Sequence, residues 1–492
     1  MKPFCKQFKY YRIMFFKNVV LVIIFILFEL SLFAQNKEEK LSEIMKTYHK
    51  YNMFDGAVLV AENGKIIFKD AYGLANREWN IPNTPETKFM IGSVSKPITA
   101  TLILILVQKG LIDLDKSLDE YLIEFKEKPA AKVTIRQLLS HSSGMPNYDI
   151  IKDFFPKMSR QFFTREDYVK LYQDAPLAFT PGTKYLYSSW AYFTLGYIIE
   201  KVTGKSYAQA MEEEIFDKLG MKNSGSYYHT QIVPKRASGY DYGLGNFLSA
   251  DFRDQSNTMG TGDLYSTVED LFKFHNALAN HSLLNMELTK EMFTPGIKPA
   301  RYGFGWYNQN FRYTATDSVS ANYHLGSTDG FISFMIRIPE TNSMAVILCN
   351  SYPTDYFGII KDLLKVLYNK PVILKEPIHK KMESLIGQFD AEKAVAEYKI
   401  MKMDTAHFYA DWLQLYYLGE NLVSFKRNDD ARIIVENNVQ EFPDKYLNTL
   451  SMANIYLNLN KREEAIKFYK KTLELNPDIE EAKNRLKELN GN

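Results

Sequence analysis

Cysteine is nearly absent from this 492-residue chain, with Cys5 and Cys349 the only two. That count excludes a disulfide framework and a thiolate metal cluster. The eight histidines are scattered and form no His-Glu-x-x-His string, so metal chemistry is disfavoured and no cofactor is expected. Charge of one sign is also lacking: 60 Lys and Arg face 58 Asp and Glu, a net charge of +2. Such a balance excludes a general nucleic-acid binder. Glycine strings such as Gly243-Leu-Gly245 and Gly260-Thr-Gly262 have neither a phosphate-loop lysine nor dinucleotide spacing, and read as loop flanking a site. What is present is core material. Hydrophobic residues make up 46% and aromatics 14%, against 24% charged, which excludes bulk disorder. The length fits two or three domains.

The small positive excess sits at one end. Residues 1–34 carry Lys2, Lys6, Lys9, Arg12 and Lys17 against Glu29, so the remainder is net negative. Val19 to Phe28 is an unbroken apolar run, too short to span a bilayer comfortably and followed by Glu29. This pattern predicts a secretory signal at 1–34 cleaved after Ala34, with export of the remainder; a membrane is touched only if the signal is left uncleaved. Cleavage would also discard Cys5.

Strand-like runs at Gly56 to Ala61 and Lys65 to Ala71 are joined by Glu62-Asn63-Gly64, a hairpin signal. A second pair, Phe331 to Ile338 and Ser343 to Cys349, turns around Pro339 to Asn342. Between them lie helical patterns, Ile98 to Lys109 closed by Gly110 and Tyr192 to Val202 closed by Gly204. Antiparallel hairpins flanking a helical middle predict an α+β domain over 35–372. Lys370 to Pro377 reads as a linker. Beyond it, Gly419, Ala431 and Pro443 recur as Ala453, Ala465 and Pro477, each displaced by 34 residues. Residues 373–492 therefore resemble tetratricopeptide repeats, which implies paired helices and a protein or peptide partner. Ala394 and Tyr398 suggest a degenerate upstream unit, and Ile479 to Leu489 a final helix.

Chemistry is best sought at Ser93-Val-Ser-Lys96, the only Ser-x-x-Lys tetrad in the chain. Pro97 has no N–H, which a helix tolerates near its start, so a helix is predicted to begin near Ser93. Positions i and i+3 share a face, putting the Lys96 amine within reach of the Ser93 hydroxyl. A serine needs such help, because its hydroxyl is a weak nucleophile at its own pKa. On these four residues alone, a helix-capping serine beside a solvated lysine explains the pattern as well.

The context decides. Phe89 to Phe125, with its Lys-Gly-Leu-Ile-Asp-Leu-Asp turn, and Gln137 to Met145 resemble the serine hydrolases of the β-lactamase and penicillin-binding-protein superfamily, especially the class C-like branch. The resemblance implies a β-lactamase-like fold: an antiparallel sheet with helices on its faces plus a helical subdomain. It also implies catalytic roles for Ser93 and Lys96. Tyr187, in Tyr187-Ser188-Ser189, stands where the family has a tyrosine motif. Ser189 replaces that motif's asparagine, shortening reach toward a substrate amide. His324-Leu325-Gly326, the chain's only His-x-Gly, matches the third family element just before a strand, with Ser327 following. The backbone N–H groups of Ser93 and Ser327 are the implied oxyanion donors. His324 in place of a lysine weakens a β-lactamase assignment, so esters and D-residue peptides are at least as strongly expected as β-lactams. The family points to the periplasm or the exterior. A competing reading is a catalytically inactive receptor or scaffold whose repeats recruit a protein partner.

Overall fold

The computed structural model describes residues 37–352 and 355–491. The expected signal segment and its cleavage point lie outside the described residues. The chain divides into two units. One comprises the described residues through His49, Met53–Gly239 and Ala250–Val372; the other comprises Lys50–Asn52, Tyr240–Ser249 and the residues from Ile373 onward.

The first unit is built on a six-stranded sheet. Asn63 (φ 51°) and Gly64 (φ 72°) both take the left-handed conformation that a tight hairpin turn requires. They join β1 (Gly56–Glu62) to β2 (Lys65–Tyr72). The other strands come from far along the chain: β3 (Tyr307–Arg312), β4 (Ser318–Thr328), β5 (Phe331–Ile338) and β6 (Ser343–Cys349). The order is β3-β4-β5-β6-β1-β2, with every pair antiparallel, and Gly56 opposite Cys349 where β1 meets β6. The turns of the two hairpins also meet, the Gly64 N–H donating to the Asn342 carbonyl at 2.7 Å.

Every residue of β5 and β6 is buried, so both faces of the sheet are covered. Period-two alternation sends Ala57, Leu59, Met344 and Val346 into the main core. That core also takes residues from α1 (Ser95–Gln108), α2 (Ser189–Thr203) and α3 (Val268–Ala279). α4 (Tyr356–Leu367) packs against β5 and β6 and is tied to the helix over residues 37–50 by Tyr48, whose hydroxyl donates to Asp362 Oδ2 at 2.9 Å. α1 is buried on all sides from Ser95 to Leu106, as expected of a helix apolar around its whole circumference.

The second unit holds paired helices: α5 (Ile378–Gln388) with α6 (Ala391–Met401), α7 (Trp412–Ser424) with α8 (Asn428–Glu441), and α9 (Tyr446–Asn458) with α10 (Arg462–Leu475), then α11 (Glu480–Asn490). The small residues that carried the 34-residue period are where the helices touch: Ala431, Ala453 and Ala465 are fully buried, and a side chain at Gly419 would collide with Val435. Two features differ from the sequence reading. Within Lys370 to Pro377, Glu376–Pro377 pairs in parallel with Phe408–Tyr409 instead of remaining a plain linker. Gly243-Leu-Gly245 lies outside the unit that holds Ser93 and Lys96. It is the turn of a hairpin, Tyr240–Gly243 with Asn246–Ser249, belonging to the second unit. There Leu244 packs against the α5–α9 core, and Lys380 Nζ lies 4.4 Å from the Tyr242 ring centroid.

Candidate active site

The chain enters α1 through a 3-10 turn, Gly92–Val94, so Ser93 stands at the head of the helix and Pro97 is its third residue, where the missing N–H costs nothing. Lys96, one turn along, has no exposed surface. Its Nζ donates to Ser93 Oγ at 3.0 Å and to the Thr261 carbonyl at 3.0 Å. Burial lowers the amine's pKa to about 7, against the opposing pull of the Asp263 charge. At neutral pH a large share of Lys96 is therefore neutral and able to take a proton. The Gly260-Thr-Gly262 string reaches this centre through its backbone.

Tyr187 closes a second side. The centroid of its ring is 4.9 Å from Lys96 Nζ, and burial raises the phenol's pKa, countered by a hydrogen bond with Ser93. The residue sits just before α2, whose N-terminus is capped by Ser188: its Oγ accepts from the Ala191 N–H at 3.2 Å. Ser189, the first residue of α2, donates its backbone N–H to Asn147 Oδ1 at 3.1 Å.

His141 supports Tyr187 and was not singled out from the sequence, although it lies within the Gln137 to Met145 run. It is fully buried, with its ring centroid 4.3 Å from that of Tyr187, 4.8 Å from Tyr302 and 5.0 Å from Tyr192. Its Nδ1 accepts from the Ser188 N–H at 3.2 Å, which assigns the ring proton to Nε2. Burial, then the Lys96 charge, pushes its pKa well below the ordinary value.

The third wall is β4. His324, Gly326 and Ser327 lie inside this strand, paired with Met335, Ser333 and Ile332 of β5, the strand the sequence placed just after them. The stretch Ser318-Val-Ser-Ala-Asn322 begins the strand by pairing with β3, and pairing with β5 starts at Asn322. Gly326 allows the close approach. A Cβ there would collide with the Ile91 carbonyl and Ser333 Oγ and come within 2.9 Å of the Ser93 nitrogen. Across the same seam, a Cβ on Gly92 would sit 2.8 Å from the Ser327 nitrogen. The backbone nitrogens of Ser93 and Ser327 thus border one narrow joint, beside a Ser327 side chain that is exposed.

His324 takes a different place from the substrate-facing one expected. Its Nδ1 lies 2.6 Å from the Leu325 carbonyl, which can only accept, so Nδ1 carries the proton and Nε2 accepts from the Tyr302 hydroxyl at 3.0 Å. Both ring nitrogens are thereby engaged, and the ring is 1% exposed. Burial, then the Lys96 charge, lowers its pKa to about 3, leaving the imidazole neutral.

The geometry brings a hydroxyl, a low-pKa amine, a phenol and two main-chain nitrogens to one place, a set suited to acyl transfer. The Beta-lactamase family model matches residues 36–368, and the tetratricopeptide-repeat model matches residues 450–479. Penicillin-binding protein 4* of Bacillus subtilis (strain 168) is 28% identical, over 82% of this chain and 88% of its own length. Teichoic acid D-alanine hydrolase of Staphylococcus aureus is 31% identical, over 55% of this chain and 66% of its own length. The solved structure of D-amino acid amidase from Ochrobactrum anthropi SV3 complexed with L-phenylalanine amide matches with a TM-score of 0.58 at 25% identity, covering 68% of this chain and 99% of that one. With its family match running through most of its length and its fold shared with these proteins, the chain belongs to the β-lactamase and penicillin-binding-protein family and carries a C-terminal tetratricopeptide repeat.

Proposed function

We propose that the first unit is a serine hydrolase in which Ser93 is acylated by a small ester or amide, D-aminoacyl compounds foremost. One observation carries the reading: a lysine with no exposed surface donates to the Ser93 hydroxyl at 3.0 Å while its amine titrates near neutral pH. In the first step Ser93 Oγ bonds to the acyl carbon, its proton passes to the Lys96 amine with Tyr187 in contact, and the leaving group departs with a proton. Water then adds to the acyl carbon, the bond from that carbon to Ser93 Oγ breaks as a proton returns to Oγ, and the carboxylic acid leaves. The backbone N–H groups of Ser93 and Ser327 hold the oxyanion, each such donor being worth about 3 to 4 kcal/mol in the transition state. The preference for D-aminoacyl esters and amides is supported by the relatives named for D-alanine and D-amino acid substrates. A neutral His324 offers no charge to the carboxylate of a β-lactam. The basic, apolar residues 1–34 support export to the periplasm or beyond, and the repeats support a protein or peptide partner for the second unit.

A fluorophosphonate active-serine probe tests the reading. It is expected to label the wild-type chain and to leave Ser93→Ala unlabelled with an unchanged melting curve. Labelling that persists in Ser93→Ala removes Ser93 from the role. A panel of a D-alanyl ester, a D-phenylalanine amide, a short-chain p-nitrophenyl ester and a chromogenic cephalosporin then ranks the substrates, with the cephalosporin expected last.

A further inference from the structure

Besides Ser93, the Lys96 amine has a second protein partner, the Thr261 carbonyl. That carbonyl belongs to a four-residue turn, Gly260 to Asp263, and the fourth residue holds the turn shut. Asp263 is 2% exposed; its Oδ1 accepts from the Gly260 N–H at 2.7 Å, and its Oδ2 accepts from the Ser226 hydroxyl. One oxygen pinches the turn from end to end and the other anchors it to a neighbouring strand, Gly225–Ser226. α1 stitches the same turn from its other side. Thr99 Oγ1 donates to the Gly260 carbonyl at 2.8 Å, and the Leu264 N–H donates to Ser95 Oγ at 3.3 Å. The Thr261 carbonyl is thus fixed on both flanks.

Lys96 is also faced by the rings of Tyr187 and Tyr192, 4.9 and 5.8 Å from its Nζ, and by His141 and His324, both neutral. Asp263 is faced by Ser226, Tyr207, Tyr228 and, at longer range, Arg165, which is itself paired with Glu200. We propose that Asp263 is a positioning residue for the hydrolase: it locks the Gly260 to Asp263 turn so that the Thr261 carbonyl holds Lys96 on Ser93, and it supplies the negative charge that faces the Lys96 amine. This rests on the assignment of Ser93 and Lys96 above. Burial raises the Asp263 carboxyl's pKa to about 6, so it is ionised at neutral pH and favours the protonated form of Lys96.

Position and charge separate by substitution. Asp263→Asn keeps an acceptor for the Gly260 N–H and loses the charge; Asp263→Glu keeps the charge and is too long for the pinch. The Lys96 ¹³Cε resonance, identified by its loss in Lys96→Arg, reports the amine directly in the full chain. In Asp263→Asn its titration midpoint is expected to fall by about one pH unit, the acid limb of kcat/KM for a p-nitrophenyl ester moving down with it. Asp263→Glu is expected to keep the midpoint while kcat falls about 100-fold, as a misplaced amine would cause. If Asp263→Asn does not fold, Ser226→Ala provides the same readout: removing a bond to the ionised carboxylate weakens its charge, and the midpoint falls by a smaller amount. A midpoint unchanged in the folded charge-removing variant overturns the proposal. Failure of the hydrolase reading has its own signature, a wild-type chain that neither labels nor turns over while the Lys96 midpoint still moves in Asp263→Asn.

Discussion

The proton of Lys96 links its proposed catalytic role to stability. In the unfolded chain its amine holds a proton up to pH about 10.5, in the fold only to about 7. Between those values the unfolded state binds more protons, so stability rises with pH; below about 7 the fold carries a buried ammonium at full cost. Lys96→Met removes that cost. The variant is expected to melt ~4 °C above wild type at pH 7, with the gap closing toward pH 10.5, while ester turnover is lost. Calorimetric scans across that range check this, and a gap independent of pH would contradict the buried ammonium. His141 makes a different prediction. Its ring props Tyr187 by a close tilted contact and touches no reacting atom, so His141→Leu should lower kcat about tenfold with KM nearly unchanged, and stability by about 2 kcal/mol. Steady-state kinetics and denaturant melts measure the two effects. A pure loss of binding, KM rising with kcat intact, would contradict the propping role.

At the scale of elements, the joint between β4 and the Ser93 turn is the critical contact. Gly326→Ala drives a methyl into the Ile91 carbonyl and Ser333 Oγ, so the strand must retreat and part the two main-chain nitrogens. Acylation by the fluorophosphonate probe should slow by about 100-fold or more, with stability falling by about 1 to 3 kcal/mol. Stopped-flow labelling with a parallel melt tests it; an undiminished acylation rate would mean that β4 does not shape the oxyanion site. The same joint explains what the sequence made legible. β1, β2, β5 and β6 were readable because each pairs within a hairpin whose turn residues declare themselves, Asn63-Gly64 and Pro339 to Asn342. β4 was not, since its polar residues Ser318, Ser320 and Asn322 carry little strand signal of their own and are placed by pairing with β3. Ser93 and Lys96 share one helical turn, so their contact could be inferred from spacing. Asp263 and Thr261 in one turn and His141 in another segment reach the site by a carboxylate, a main-chain carbonyl and a tilted ring that no local pattern announces.

At the scale of the whole molecule, the second unit is not a simple tail. Leu244 packs against its core, and Gly243 lies so near Phe425 that a Cβ would stand 2.6 Å from that ring. A chain ended at Val372 loses Phe425, Lys380 and the rest of the cover for the Tyr240–Ser249 hairpin. Limited proteolysis of that truncated protein is expected to cut within 240–249, while the full chain resists there; equal resistance would show the hairpin needs no helical cover. The strand order carries a consequence for biosynthesis. β1 cannot pair with β6 until residue 349 has left the ribosome, and β4 joins the sheet only through β5, which β6 flanks. A nascent chain therefore carries Ser93 and Lys96 for well over two hundred residues of translation before the strand that completes their surroundings is in place. For the proposed hydrolase, fragments that end before β4 are therefore expected to be inactive toward acyl compounds.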